Sequence, residues 1–163
     1  MLSADRQPSR RLPIHSARPS SYEKSKVKPL FPFGFGLSYT TFRFANLKVT
    51  QTATGGEAHI TASFDVTNTG KRKGAEVAQL YVTEKRPVVE RPLHELKGFE
   101  RVELEPGQTR RLSIPLDARS FSYYDVDAST WKIGSNMFTV AVGDSLDSLP
   151  LTTDLSLANG AQH

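Results

Sequence analysis

From Thr41 onward, apolar residues recur at alternate positions in short runs separated by turn formers, the period of half-buried strands. HITASFDVTN places Ile60, Ala62, Phe64 and Val66 on one face, and MFTVAVG does the same with Phe138, Val140 and Val142. FRFANLKVT alternates through Phe42 and Phe44, then changes parity to Leu47 and Val49, so an irregularity is expected near Ala45-Asn46. EVAQLYVTE is apolar at mixed parity, which predicts burial on more than one face. ELKGFERVEL offers Leu96, Phe99, Val102 and Leu104, and TRRLSIPL follows the Pro106-Gly107 turn. Gly55-Gly56 and the polar stretch from Asn68 to Gly74 supply further turns. Pro87 and Pro92 make residues 85–93 a loop or an edge. DARSFSYYD suits one helical turn with Asp117 as its N-cap, and TDLSL suits a closing edge strand. The fold class is all-β, a sandwich of short antiparallel strands.

Composition refines this picture more than it changes it. The chain has 163 residues, 37% hydrophobic and 23% charged, ordinary proportions for a globular domain. It contains no cysteine, which removes disulfides, thiolate metal sites and a cysteine nucleophile. No apolar run reaches the length of a membrane span. The basic pI of about 9.4 raises the question of nucleic acid. Of the 21 Lys/Arg and 17 Asp/Glu, seven basic and two acidic residues lie in 1–30; the remaining 14 basic and 15 acidic residues net to −1. The excess belongs to the leading arm, not to a folded basic face, and argues against a nucleic-acid partner. Residues 1–28 read as a flexible basic arm with no apolar signal-like core, residues 29–157 as the sandwich, and 158–163 as a tail.

Several segments, in this order, carry a resemblance. PLFPFGFGLSYTTF, VTNTGKRKGAEVAQLYV, RPLHELKGFERVELEPGQT, LDARSFSYYD and FTVAVGDSLDSL together resemble the C-terminal fibronectin type III-like domain of family 3 glycoside hydrolases, the β-glucosidase and β-xylosidase group. The resemblance covers about residues 29–157 and implies a fibronectin type III/immunoglobulin-like β-sandwich with an irregular N-terminal arm. It also implies that catalysis belongs to other domains, because the family's nucleophile and acid/base lie in a barrel and an α/β domain. Neither has a counterpart here, so no catalytic residue is carried over. Two segments depart from the family pattern: residues 1–28, and WKIGSNMF, where Pro-Gly is usual. Members of the family are often secreted or periplasmic, which leaves the location of this chain open.

Candidate sites follow from residue chemistry. Tyr123, Tyr124 and Trp131 are the candidate carbohydrate-binding residues, since aromatic faces stack on sugar rings; the alternative is that they fill the core. Phe31, Phe33, Phe35 and Tyr39 are the candidate domain interface, or a site of self-association if left uncovered. Asp125, Asp127 and Ser129 alternate like the start of a calcium loop. Thr130 and Asn136 stand where that loop needs glycine and glutamate, so calcium is at most a weak candidate cofactor, with Asp144 and Asp147 as further carboxylates. The four histidines lack metal-ligand spacing. His94, beside Glu95 and the proline-bearing loop, is the candidate functional imidazole, and Ser120 or Ser122 its candidate nucleophile.

The leading function is a non-catalytic accessory module whose partners are the catalytic domains of a glycoside hydrolase. Weak polysaccharide binding through exposed aromatics is the second expectation. A stand-alone ester or lactone hydrolase, metal-assisted through Asp125 and Asp127, is the third.

Overall fold

A computed structural model describes residues 39–54 and 57–157; the arm, Phe31, Phe33, Phe35, the Gly55-Gly56 turn and the tail lie outside them. The alternating runs become nine strands: β1 (Phe42–Thr54), β2 (Glu57–Asn68), β3 (Gly74–Glu84), β4 (Glu95–Leu104), β5 (Thr109–Leu116), β6 (Tyr123–Asp125), β7 (Thr130–Lys132), β8 (Met137–Gly143) and β9 (Leu151–Ser156). They form a three-stranded sheet, β1-β2-β5, facing a four-stranded sheet, β4-β3-β8-β9, with β6-β7 as a separate ribbon. Every pairing is antiparallel. This is the β-sandwich that the periodicity predicts, and TDLSL does close an edge as β9.

Between the sheets lie Phe44, Ile60, Ala62, Phe64 and Val66 from one side and Leu80, Val102, Phe138, Val140 and Val142 from the other. β3 is interior to its sheet, and Ala78 to Val82 are buried without a break, which accounts for its mixed parity. The irregularity expected in β1 is a β-bulge between Ala45 and Lys48. There Asn46 takes φ +56° and donates from Nδ2 to Asp65 Oδ2 at 2.7 Å, a left-handed position that Asn tolerates better than most residues. The bulge restores Leu47 and Val49 to the core side after the parity change.

One helical turn forms where expected, as a 3-10 turn over Ala118–Phe121. Asp117 Oδ1 accepts from the Ser120 N–H at 2.9 Å and the Ser120 hydroxyl at 2.8 Å. The turn drives Phe121 into the core, edge-on to Phe138 at a centroid distance of 5.1 Å. Two other expectations are corrected. Asn68 is not part of an exposed polar turn but ends β2 fully buried. Phe99 does not join Val102 and Leu104 in the core; it points outward and is 67% exposed, because odd-numbered positions in this part of β4 face away from the opposing sheet. Gly98, on the inner side, lets β4 approach the other sheet so closely that a Cβ there would meet Ile114 Cγ2 at 2.5 Å.

The Pro106-Gly107 turn joins β4 to β5, with Gln108 N–H donating to Glu105 C=O at 3.0 Å and Gly107 at φ +77°. Proline followed by glycine with positive φ is the type II arrangement. No neighbour lies within 4 Å of a Cβ placed on Gly107, so Gly107→Ala tests backbone strain alone. It is expected to cost about 1 kcal/mol, read as a lower urea midpoint with an unchanged slope, and Gly107→Asn is expected to cost less.

Candidate functional site

The β6-β7 ribbon carries the candidate aromatic and acidic residues. Tyr124 pairs with Trp131 across it, and the two rings meet edge-to-face at 5.6 Å and 70°. Both stand outside the sandwich, 49% and 44% exposed, so these two do not fill the core; the ribbon is not part of either packed sheet. Tyr123 is half-buried. The Arg119 guanidinium lies 5.5 Å from the Trp131 ring centroid, a cation–π contact. The rings therefore present a stepped surface with a positive charge beside it.

Asp125 ends β6 at the turn of the same ribbon, opposite Thr130. Its Oδ1 accepts from Ala128 N–H at 3.1 Å and its Oδ2 accepts from Lys132 Nζ at 2.6 Å. The Lys132 bond, then the Ala128 bond, hold its carboxyl below the usual aspartate range. Asp127 is exposed, and Ser129 turns the chain with φ +51°. Both Asp125 oxygens thus serve a hairpin, and no group of three His, Asp or Glu side chains converges on a metal-sized point among the described residues.

His94 sits on the outer face of the four-stranded sheet. Its Nδ1 is 3.0 Å from the Thr83 hydroxyl, and its ring meets Tyr81 edge-on at 6.5 Å. The Tyr81 hydroxyl donates to Gln79 Oε1 at 2.6 Å, and Gln79 Nε2 donates to the Asp144 carbonyl at 2.6 Å. Ser120 is committed to Asp117, and the Ser122 hydroxyl donates to the Ala118 carbonyl at 2.7 Å. His94 and the two serines thus have separate hydrogen-bond partners.

Beneath loop 85–93 lies a cluster that sequence reasoning missed. Arg91 donates to Glu84 Oε2 at 2.8 Å, to both Glu95 oxygens at 2.6 and 3.1 Å, and to the Ser122 carbonyl at 3.1 Å. Burial would raise the Glu95 carboxyl, but hydrogen bonds from Arg91 and Lys97 outweigh it and hold the group below the usual glutamate range. The Arg91-to-Glu95 spacing of four had no helix to give it meaning, so the sequence offered no signal for the pair.

Glu76, on β3, shows the opposite balance. Burial raises its carboxyl, the Val77 N–H bond opposes this, and the Asp144 charge adds to it. A raised folded-state value means that this carboxylate lowers stability once pH rises through the interval between its unfolded and folded values. Glu76→Gln retains an acceptor for Val77 and is expected to raise the melting temperature at pH 7. The gain should vanish at pH 3, where both forms are neutral. A gain that persisted at pH 3 would assign the effect to packing instead of charge.

With the geometry defined, comparison with known proteins is specific. Residues 76–146 match the family model described as "Fibronectin type III-like domain". The chain is 40% identical over 124 residues to thermostable β-glucosidase B of Acetivibrio thermocellus, covering 76% of this chain and 16% of that protein. It is 43% identical over 127 residues to a probable β-glucosidase I of Aspergillus niger, with 74% and 15% covered. Among solved structures, the β-D-glucoside glucohydrolase of Trichoderma reesei aligns with a TM-score of 0.77 and 33% identity, over 84% of this chain and 21% of that one. The Kluyveromyces marxianus β-glucosidase, solved with glucose, aligns at 0.75 and 37%, over 85% and 16%. The chain thus spans about a sixth of the curated relatives named here. Sequence and architecture agree: the chain carries a fibronectin type III-like β-sandwich domain of the family 3 glycoside hydrolases.

Proposed function

We propose that this chain acts as a non-catalytic accessory domain that stabilises the catalytic part of a β-glucosidase-type glycoside hydrolase. The observation that carries the proposal is the small share, 15–16%, of each curated relative that the chain matches. Local chemistry supports it. Retaining glycoside hydrolysis needs two carboxyl groups about 5–5.5 Å apart across the scissile bond. Here Asp117 caps a turn, Asp125 and Asp154 bind lysines, Asp65 binds Asn46 and Arg111, and Glu84 and Glu95 bind Arg91. These carboxylates maintain structure.

The test uses the Acetivibrio thermocellus enzyme without the segment that matches this chain. Loss of thermal stability, together with no aryl β-glucoside turnover by the purified chain, is the expected result. Unchanged activity and stability in the truncated enzyme would end the proposal, as would turnover by the chain alone.

The exposed Tyr124–Trp131 pair favours a second reading, weak association with polysaccharide. Retention of the chain on insoluble cellulose should fall in Trp131→Ala; equal retention removes Trp131 from that account.

A further inference from the structure

The two outer faces of the sandwich differ in chemistry. On β1-β2-β5 the outward positions form a polar ladder: Ser63 pairs with Ser113 at 2.9 Å, Thr67 with Thr109 at 2.8 Å, and Asp65 with Arg111 at 3.1 Å. That is a face built for water. On the β3-β4 half of the other sheet, the outward positions are Val77, Gln79 and Tyr81, with Phe99 opposite Gln79 and Leu96 opposite Tyr81. Tyr81 and Gln79 are buried and hydrogen-bonded to each other, as in an interior, whereas Phe99, Leu96 and Val77 beside them are exposed. Loop 85–93, which joins the same two strands, carries exposed Val88 and Val89 at the end of the sandwich, with Val88 beside Gly134 and Tyr123. Arg101, paired with Val77, supplies charge at the margin of the apolar centre, the layout of a protein interface.

The loop is held before any partner arrives. Arg91 ties it to the end of β3 through Glu84, to the start of β4 through Glu95, and to the Ser122 carbonyl. A loop fixed in this way leaves the adjoining ends of β3 and β4 little conformational entropy to lose on docking.

We infer that the outer face of β3-β4, centred on Phe99 with Leu96 and Val77 beside it, docks on the catalytic body of a family 3 β-glucosidase, while the Ser/Thr face stays in water. The inference rests on the accessory-domain proposal. The occupant follows from proportion: the relatives carry roughly five times as much chain beyond the matched segment, and among the described residues the β3-β4 half supplies an outer sheet face with exposed apolar side chains. A second copy of this chain is the competing occupant.

The chain contains no cysteine, so single reporters can be placed cleanly. Phe99→Cys and Ser113→Cys are made in the full chain and in the Acetivibrio thermocellus enzyme with this chain replacing its matching segment. Maleimide labelling at each reporter is followed by peptide mapping. In the chimera, Phe99→Cys is expected to label about tenfold more slowly than in the isolated chain, with Ser113→Cys unchanged. Restored stability with Phe99→Cys still open overturns the docking face and leaves the accessory role standing. Neither restored stability nor protection overturns both. Protection at Ser113→Cys instead assigns docking to the other sheet. A dimeric isolated chain already slow at Phe99→Cys assigns the face to self-association.

Discussion

Asn68→Leu is expected to destabilise the sandwich by about 3 kcal/mol, since each buried polar group left without a partner costs roughly 1–3 kcal/mol. The Asn68 side chain is fully buried and uses both ends of its amide. Nδ2 donates to the Leu104 carbonyl at 3.0 Å and the Arg72 carbonyl at 2.8 Å. Oδ1 accepts from the Thr40 hydroxyl at 2.8 Å and the Gly70 N–H at 3.0 Å. One residue therefore joins the approach to β1, the end of β2, the 69–73 turn and the end of β4. Leucine has the same branching at Cγ but is bulkier, so no cavity opens and the cost combines lost hydrogen bonds with some overpacking. The urea midpoint should fall while the slope holds. Asn68→Asp retains the acceptors but not the donors, and its ionised carboxylate would face two carbonyls; it should be at least as damaging at pH 7 and recover in part at low pH. A change within about 0.5 kcal/mol, as at an ordinary surface position, would show that water replaces these bonds.

The strands were legible in the sequence because burial repeats with the backbone period. Ile60, Ala62, Phe64 and Val66 alternate inward, and the parity change after Phe44 marked the Asn46 bulge before any coordinate did. The Asp117 cap was legible for a similar local reason: a carboxylate three residues before Ser120 can reach its N–H. Asn68 was not, because a polar residue beside Thr-Gly resembles a turn. Its burial is tolerable because contacts with Leu104 and Thr40, far along the chain, complete the local bonds to Arg72 and Gly70. Phe99 misled in the opposite direction, being apolar yet outward. Local pattern records which faces exclude water within the domain; it does not say which exposed faces another protein covers. The family resemblance located the domain among glycoside hydrolases. The candidate residues on the ribbon came together only in part: Tyr124 meets Trp131, while Asp125 turns to Lys132 instead of gathering carboxylates.

The second large effect is expected at Arg91, where truncation to alanine should cost about 3 kcal/mol, the low end for breaking a buried ion pair by removing one partner. The Glu84 side chain is 3% exposed and that of Arg91 11%. Glu84 Oε1 has no hydrogen-bond partner among the described residues, so compensation of this buried carboxylate depends on the bond from Arg91 to Oε2. Glu95 retains Lys97 and suffers less. Arg91→Lys should recover only part of the loss, because an ammonium cannot reproduce a planar fork spanning Glu84, Glu95 and the Ser122 carbonyl. Pairing Arg91→Leu with Glu84→Leu should cost less than the sum of the single changes, since it removes the stranded charge together with its partner. Strict additivity would mean that the two are not coupled. The pH dependence gives an independent readout. The Glu95 carboxyl is held below its unfolded value, so its contribution is present above about pH 4.3 and is lost as pH falls through the folded value. Removing one of its two cationic partners should narrow that gap, and the acid limb of stability should be shallower in Arg91→Ala than in the parent chain. Because the same guanidinium anchors loop 85–93, amide exchange across Val88 and Val89 should quicken in the variant while β2 stays protected, which distinguishes a loosened loop from a weakened core.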